Sequence, residues 1–136
     1  MAPRRGVAAA VGRGPALGQP AALRERAKLA DPVIQEKLGA ARCAVEASRL
    51  LSYRVIDLRA KGSEPTADTN VARVAGTLCE NAVSDLALEI YGAEALGYGN
   101  FAESYWRLAM TAGVAVGTTE INLNLIASRW LDLPRE

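Results

Sequence analysis

The chain has 136 residues, which suits a single domain, and its formal charge of +1 gives no reason to expect a nucleic-acid partner. Half of the residues are apolar, but no run approaches the ~20 residues that a transmembrane helix needs, so no membrane span is predicted. Histidine is absent, which excludes Ser-His-Asp and Cys-His catalysis and the commonest zinc ligand. No metal site is predicted.

The first 22 residues differ in composition from the rest. They consist mostly of Ala, Gly, Pro and Arg, and they contain no acidic residue. Such a segment cannot bury enough apolar surface to offset its ordering entropy, which predicts a disordered tail over residues 1–22. An artefactual or truncated start explains the same bias equally well. Cys43 and Cys79 are far apart and form no Cys-x-x-Cys pair, which predicts buried, reduced thiols and a cytoplasmic location.

Two long helices are predicted in the first part of the domain. Asp31-Pro32 is a strong start signal, with Asp as the cap and Pro at the first helical position. Gly62 should end this helix, and Asp68 or Thr69 should cap the next one, which should end at Gly92. The first helix carries an apolar stripe at steps of three and four residues: Ile34, Leu38, Ala41, Val45, Ser48, Leu51, Val55 and Leu58.

Two shorter helices are predicted after a glycine-rich loop. The third should run from residue 101 to 112, with Tyr105, Leu108 and Ala109 inward. The last should be capped by Thr118 or Thr119 and stopped by Pro134. Its inward face should hold Ile121, Leu125, Ser128 and Leu131. Because no stretch alternates for long with period two, residues 23–136 are predicted to form an all-α, antiparallel four-helix bundle.

Several sequence blocks, in order, resemble the C-terminal helical domain of acyl-CoA dehydrogenases. The most specific are Gly117-Thr118-Thr119-Glu120-Ile121 and the ending Leu131-Asp132-Leu133-Pro134-Arg135. The others are residues 31–33 (DPV), 49–54 (RLLSYR), 85–92 (DLALEIYG) and 124–127 (NLIA). The resemblance runs from about residue 23 to 135. It implies a flavoprotein that contains FAD and removes two hydrogens, α and β, from an acyl-CoA thioester.

The resemblance also assigns the turn that begins the last helix. Counterparts of Thr118 and Glu120 contact FAD in the family, so Gly117, Thr118, Thr119 and Glu120 are predicted to bind the cofactor. Free N–H groups at the helix start would suit its diphosphate, whereas Glu120 would bond a hydroxyl. Many members carry a catalytic Glu immediately before this glycine. Here that position is Val116, which cannot accept a proton, so no catalytic residue is assigned.

Two further departures from the family bear on function. Asn122 and Leu123 stand where the family often has Gln-Arg, and losing that Arg would remove a charge-assisted contact. Complete family subunits also carry an N-terminal helical domain and a central β-domain, which these residues do not show. The expectation is therefore a homo- or hetero-oligomer with another acyl-CoA dehydrogenase chain, inactive when isolated. The alternatives are a non-enzymatic helical oligomerisation module and a truncated gene product.

Overall fold

The computed structural model describes residues 26–115 and 117–134, and all regular structure in these ranges is helical. We label the helices α1 (Pro32–Ala60), α2 (Asp68–Tyr91), α3 (Phe101–Ala112) and α4 (Thr119–Trp130); a 3-10 helix, Gly92–Leu96, follows α2. The predicted all-α class is confirmed. The tail at residues 1–22, its boundary with the domain, and Val116 lie outside the described residues. None of the described helices is long and apolar enough to cross a membrane.

The helix at the centre of the fold is α2, because α1, α3 and α4 all pack against it. Near the start of α1, Lys37 Nζ lies 2.6 Å from Glu89 Oε1 near the end of α2, so these two helices are antiparallel. On α3, Trp106 Nε1 donates to Asp85 Oδ1 at 3.2 Å, late in α2. The end of α3 lies beside the first half of α2, so this pair is antiparallel too. The bundle architecture agrees with the prediction.

The predicted start of α1 is confirmed in detail. Asp31 is the N-cap, and its Oδ1 accepts a hydrogen bond from the Val33 N–H at 2.9 Å. Pro32 at the first helical position sacrifices no hydrogen bond, because that N–H would have no partner within the helix. At the other end, Gly62 has a φ of 73°, a left-handed conformation that turns the chain away from the helix axis.

The predicted cap of α2 is wrong. Ala67 occupies the cap position and makes no side-chain hydrogen bond there, while Asp68 is the first helical residue. The Asp68 carboxylate is used elsewhere. It accepts from the Thr66 N–H at 3.1 Å, from the Thr66 hydroxyl, and from Arg59 Nη2 at 2.8 Å. One buried carboxylate thus ties the link between α1 and α2 to the end of α1.

The helices approach one another through small side chains, which overturns part of the predicted core. Leu108 was expected inward but is 65% exposed, whereas its neighbour Ala109 is buried as predicted. The buried residues of α3 are all alanines, and leucine is turned outward. The buried apolar residues of the described chain are Ile34, Ala67, Leu86, Ala95, Ala102, Ala109 and Ala112.

The inward face predicted for α4 is partly wrong, because only Leu125 and Ser128 of its four residues are half-buried. Ile121 is 54% exposed and Leu131 is exposed, while Asn122 is buried. A polar contact with α2 sets this orientation. Pro134 does not stop the helix, because α4 ends at Trp130, and Asp132, with a φ of 50°, turns the chain before the proline is reached.

Asp68 is expected to stabilise the fold in a pH-dependent way. The Thr66 hydroxyl is the main cause that lowers the pKa of this carboxyl below its ordinary 3.8; burial opposes the shift and Arg59 adds to it. Because the folded-state pKa lies below the unfolded one, the contribution is full above about pH 4 and is lost as pH falls through the folded-state pKa.

The test is the thermal midpoint of Asp68→Asn measured by circular dichroism from pH 7 to pH 2. We expect a decrease of at least about 5 °C at pH 7 that shrinks at the acid end. Asp57→Asn is the matched control, since Asp57 forms only an exposed pair with Lys61, and its midpoint should move by no more than about 2 °C. Equal effects of the two substitutions would refute the role of Asp68.

Candidate cofactor-binding turn

The loop between α3 and α4 presents the residues that the family resemblance assigns to the cofactor. Gly117 has a φ of 93°, which side-chain-bearing residues rarely adopt, so glycine permits the turn. Thr118 follows as the cap of α4, and its Oγ1 accepts from the Ile121 N–H at 3.3 Å. Of the two caps left open by the sequence, Thr118 is therefore the correct one. The loop places Gly117, Thr118, Thr119 and Glu120 in one continuous turn.

An arginine of α2 holds the first half of this loop. Arg73 Nη2 donates to the Ala112 carbonyl oxygen at 2.6 Å and also to the Ala115 carbonyl oxygen. These carbonyls lie at and just beyond the C-terminus of α3, where intrahelical partners run out and a cation is favoured. The Thr77 hydroxyl lies 3.4 Å from the Ala112 oxygen as well. The end of α3 is thus fixed to α2 by polar contacts.

A buried asparagine holds the second half. Asn122 Nδ2 donates to the carbonyl oxygens of Gly117 at 3.1 Å and Thr118 at 2.8 Å. Its Oδ1 accepts from Asn70 Nδ2 on α2 at 2.9 Å, and the residue is only 5% exposed. Both ends of one amide are satisfied, so Asn122 connects the backbone of the turn to α2.

Arg73, Asn122 and Asn70 together form a polar clamp on the turn, and the sequence alone did not predict most of it. Sequence reasoning treated Asn122 only as a departure from the family's Gln, and it did not single out Asn70 or Arg73. A signal was present, since Arg73 interrupts the small apolar run from residue 71 to 76 and Asn70 directly precedes that run. Polar groups on a packed face need partners, which marks them as candidates for a buried network.

The predicted free N–H groups at the start of α4 are not free. The Thr119 N–H donates to the Gly113 carbonyl oxygen at 3.2 Å, and the Ile121 N–H donates to the Thr118 hydroxyl. The Glu120 N–H contributes to lowering the pKa of the carboxyl on its own side chain. The Thr119 and Ile121 donors, which a diphosphate would use, are therefore occupied inside the turn. What the turn offers is hydroxyl groups and an ionised carboxylate.

Glu120 is exposed and is held in its charged form. Its own backbone N–H first, and then the Thr118 hydroxyl, lower the pKa of the carboxyl below its ordinary range. An ionised carboxylate only accepts hydrogen bonds, so it suits a hydroxyl or amino group of a ligand. A shift in this direction is the opposite of what a general base near neutral pH requires.

An apolar groove begins beside this turn. Its volume is about 610 Å³, and it lies between the outer face of α4 and the tail that folds back after Asp132. The Leu133 N–H donates to the Ala127 carbonyl oxygen at 3.2 Å and fixes the tail in place. The face expected inward, including Ile121 and Leu125, instead lines this open groove. Acceptor groups and apolar surface therefore adjoin at the N-terminal end of α4.

Residues 18–131 match the family model described as acyl-CoA dehydrogenase, C-terminal domain. The chain belongs to the acyl-CoA dehydrogenase family. The resemblance that the sequence blocks indicated is thereby confirmed, and the helical fold is the one expected for this domain of the family. No curated protein and no solved structure gave a significant match.

Asn122 is expected to be the main determinant of the geometry of this acyl-CoA dehydrogenase turn. In Asn122→Ala, the Asn70 donor and two carbonyl oxygens lose their partner, which should lower the free energy of unfolding by about 1–3 kcal/mol. Asn124→Ala is the control, because Asn124 is exposed and should change stability by no more than about 0.5 kcal/mol. Urea denaturation measures both.

A double-mutant cycle separates the clamp from a generic loss of packing. If Asn70 acts through Asn122, the double variant Asn70→Ala/Asn122→Ala should be less destabilised than the sum of its single variants. Strict additivity would mean that the two amides do not depend on each other.

Proposed function

We propose that this chain forms the helical, cofactor-contacting part of an FAD-dependent acyl-CoA dehydrogenase that oxidises an acyl-CoA thioester between its α- and β-carbons. Family membership supports the reaction class. The observation that carries the proposal for this chain is the clamped turn from Gly117 to Glu120, with an ionised acceptor beside an open apolar groove. A ligand with both hydroxyl groups and a flat apolar surface would match it.

The chemistry of the turn selects one part of FAD over another. Because the backbone donors of Thr119 and Ile121 are used internally, the turn does not suit the diphosphate. Glu120 and the hydroxyls of Thr118 and Thr119 suit the hydroxyl-bearing parts of the cofactor, with Gly117 allowing close approach of the backbone. When bound, the flavin supplies the site that receives hydride from the β-carbon of the thioester.

The base that removes the α-proton must come from elsewhere. The family position before the glycine is Val116, whose side chain cannot accept a proton. In the described residues, the carboxyl groups with a clearly shifted pKa are Asp68, Glu103 and Glu120, and each is lowered. A base for this step needs a raised pKa in a water-poor pocket. We therefore assign the base to another acyl-CoA dehydrogenase chain and expect no activity from this one alone.

Exposed apolar surface supports such a partner. Tyr98 is 97% exposed, and Leu96 and Phe101 near it are exposed as well, at the end of the bundle formed by the 3-10 helix and the start of α3. Contiguous patches of this kind mark interaction surfaces. A homo- or hetero-oligomer would cover them. The cytoplasmic location stays a prediction.

Glu120 provides the sharpest test of cofactor binding. The tagged full chain, purified gently from its own host with its partners, should show the visible absorption of a flavin. Losing a hydrogen bond to a charged acceptor costs about 1.5–3 kcal/mol, so Glu120→Gln should weaken FAD binding roughly ten-fold to a hundred-fold. The measurement is flavin retained during dialysis against graded FAD concentrations.

Glu36→Gln is the matched control for charge, since Glu36 is exposed near the start of α1 and far along the chain from the turn. Its flavin retention should equal that of the unmodified chain. If Glu120→Gln and Glu36→Gln retain flavin equally, or if no flavin accompanies the unmodified chain and its partners, the assignment of this turn to FAD is wrong.

A second candidate function rests on the same exposed surface. The chain would be a non-enzymatic helical oligomerisation module, with ancestry in the family but no cofactor. It predicts a colourless, well-folded dimer or larger oligomer, and sedimentation velocity would reveal dissociation on dilution. A monomer at all concentrations would refute it. A truncated gene product would instead aggregate without a cooperative thermal transition.

A further inference from the structure

A groove of about 670 Å³ runs between α1 and α2, apart from the candidate cofactor turn. Alanines of both helices form its walls, among them Ala44, Ala47 and Ala82. Leu78 lies in its floor and is 60% exposed, although it sits in the middle of the central helix. Alanine side chains in the walls and an exposed leucine form a surface that suits a further chain segment with small side chains.

The described part of the chain begins beside the groove. Where the described structure begins, Lys28 Nζ donates to the Glu89 carbonyl oxygen at 2.6 Å, and Glu89 lines one end of the groove. The groove extends along α1 from Lys37 to Ala47, a span of about 15 Å in helix. The 25 residues before Arg26 reach up to about 80 Å when extended, so they can cover it.

The composition of this segment matches the groove. Val7-Ala8-Ala9-Ala10-Val11 is a run of small apolar residues that can lie close to alanine walls. The first 22 residues carry three arginines and no acid, and two carboxylates line the groove: Glu89, which is paired with Lys37, and Asp85, which accepts from Trp106. A segment of this composition can gain buried apolar contacts by binding a surface that is already formed.

We propose that residues 1–22 bind the α1–α2 groove of their own chain, with the run from Val7 to Val11 against Leu78 and the alanine walls. The segment thereby completes the apolar packing of the central helix on the side that α3 and α4 leave open. The proposal is independent of cofactor binding, because the groove and the turn share no residues.

The two cysteines provide the test. Cys79 lines the groove, whereas Cys43 is exposed on α1 and does not line it, and both thiols are free. The full chain carrying Val7→Asp and Val11→Asp is compared with the unmodified full chain, each in a Cys43→Ser background, by the rate of reaction with a small aromatic disulfide. Burial, and then Glu80, raise the pKa of the Cys79 thiol, so all rates are measured at one pH.

We expect Cys79 to react about ten-fold faster in the double variant. This ratio corresponds to a segment that, in the unmodified chain, covers the groove about ten times as often as it leaves it open. The exposed Cys43, followed in a Cys79→Ser background, should react at the same rate with and without the aspartates. Val114→Asp, an exposed position between α3 and α4, is the charge control and should leave Cys79 unchanged.

Three results would overturn the proposal. The first is equal reactivity of Cys79 in all full-chain variants. The second is protection that disappears on dilution, which would show that a second copy covers the groove. The third is faster reaction of both thiols in the double variant, which would report unfolding.

Filling the groove from within gives a separate check. Ala44→Trp should displace the segment and speed tryptic cleavage after Arg13, and unchanged cleavage would contradict docking.

Discussion

The candidate site depends on one buried amide. Asn122 sits on α4, donates to two carbonyl oxygens of the preceding turn, and accepts from Asn70 on the central helix. These contacts decide which face of α4 meets α2, and they turn Ile121 outward to line an open groove. The same hydrogen bonds of Asn122 therefore fix both the orientation of α4 and the shape of the turn. An apolar residue at 122 would satisfy neither the carbonyls nor Asn70.

The limits of sequence reasoning follow from the same packing. Helix ends were predictable wherever local chemistry decides them, as at Asp31, Pro32 and Gly92, because caps and left-handed turns act over a few residues. Buried faces were not. When alanines form the contact, periodicity favours the larger Leu108 as the inward residue, and the structure turns it outward. The Asn70–Asn122 bond joins residues 52 positions apart, a distance that no local pattern reveals.

The family assignment was accessible from the sequence, because its blocks follow one another in order along the chain and each keeps its residue types. The function of the turn was less accessible. A helix start usually suggests an anion site, but here the Thr118 hydroxyl and the Gly113 carbonyl oxygen accept from the Ile121 and Thr119 N–H groups. Only the three-dimensional structure shows that these N–H donors are occupied. The diphosphate expected there is therefore no longer the proposed partner, and the hydroxyl expected at Glu120 remains. The catalytic base likewise depends on a single side chain. Because Val116 stands at the position of the family's Glu, that part of the family's chemistry is not carried over to this chain.

The alanine-lined contacts also bear on how much of this polypeptide a cell can maintain. Small side chains bury little apolar area per contact, and most of the large apolar residues of the described chain stay on the outside. Much of the hydrophobic stabilisation of the fold would then be gained only when another surface covers these residues. Chains without that cover would spend more time open and would be removed by proteases. The steady-state amount of the chain would therefore follow the supply of the proposed partner rather than the rate of synthesis of this chain.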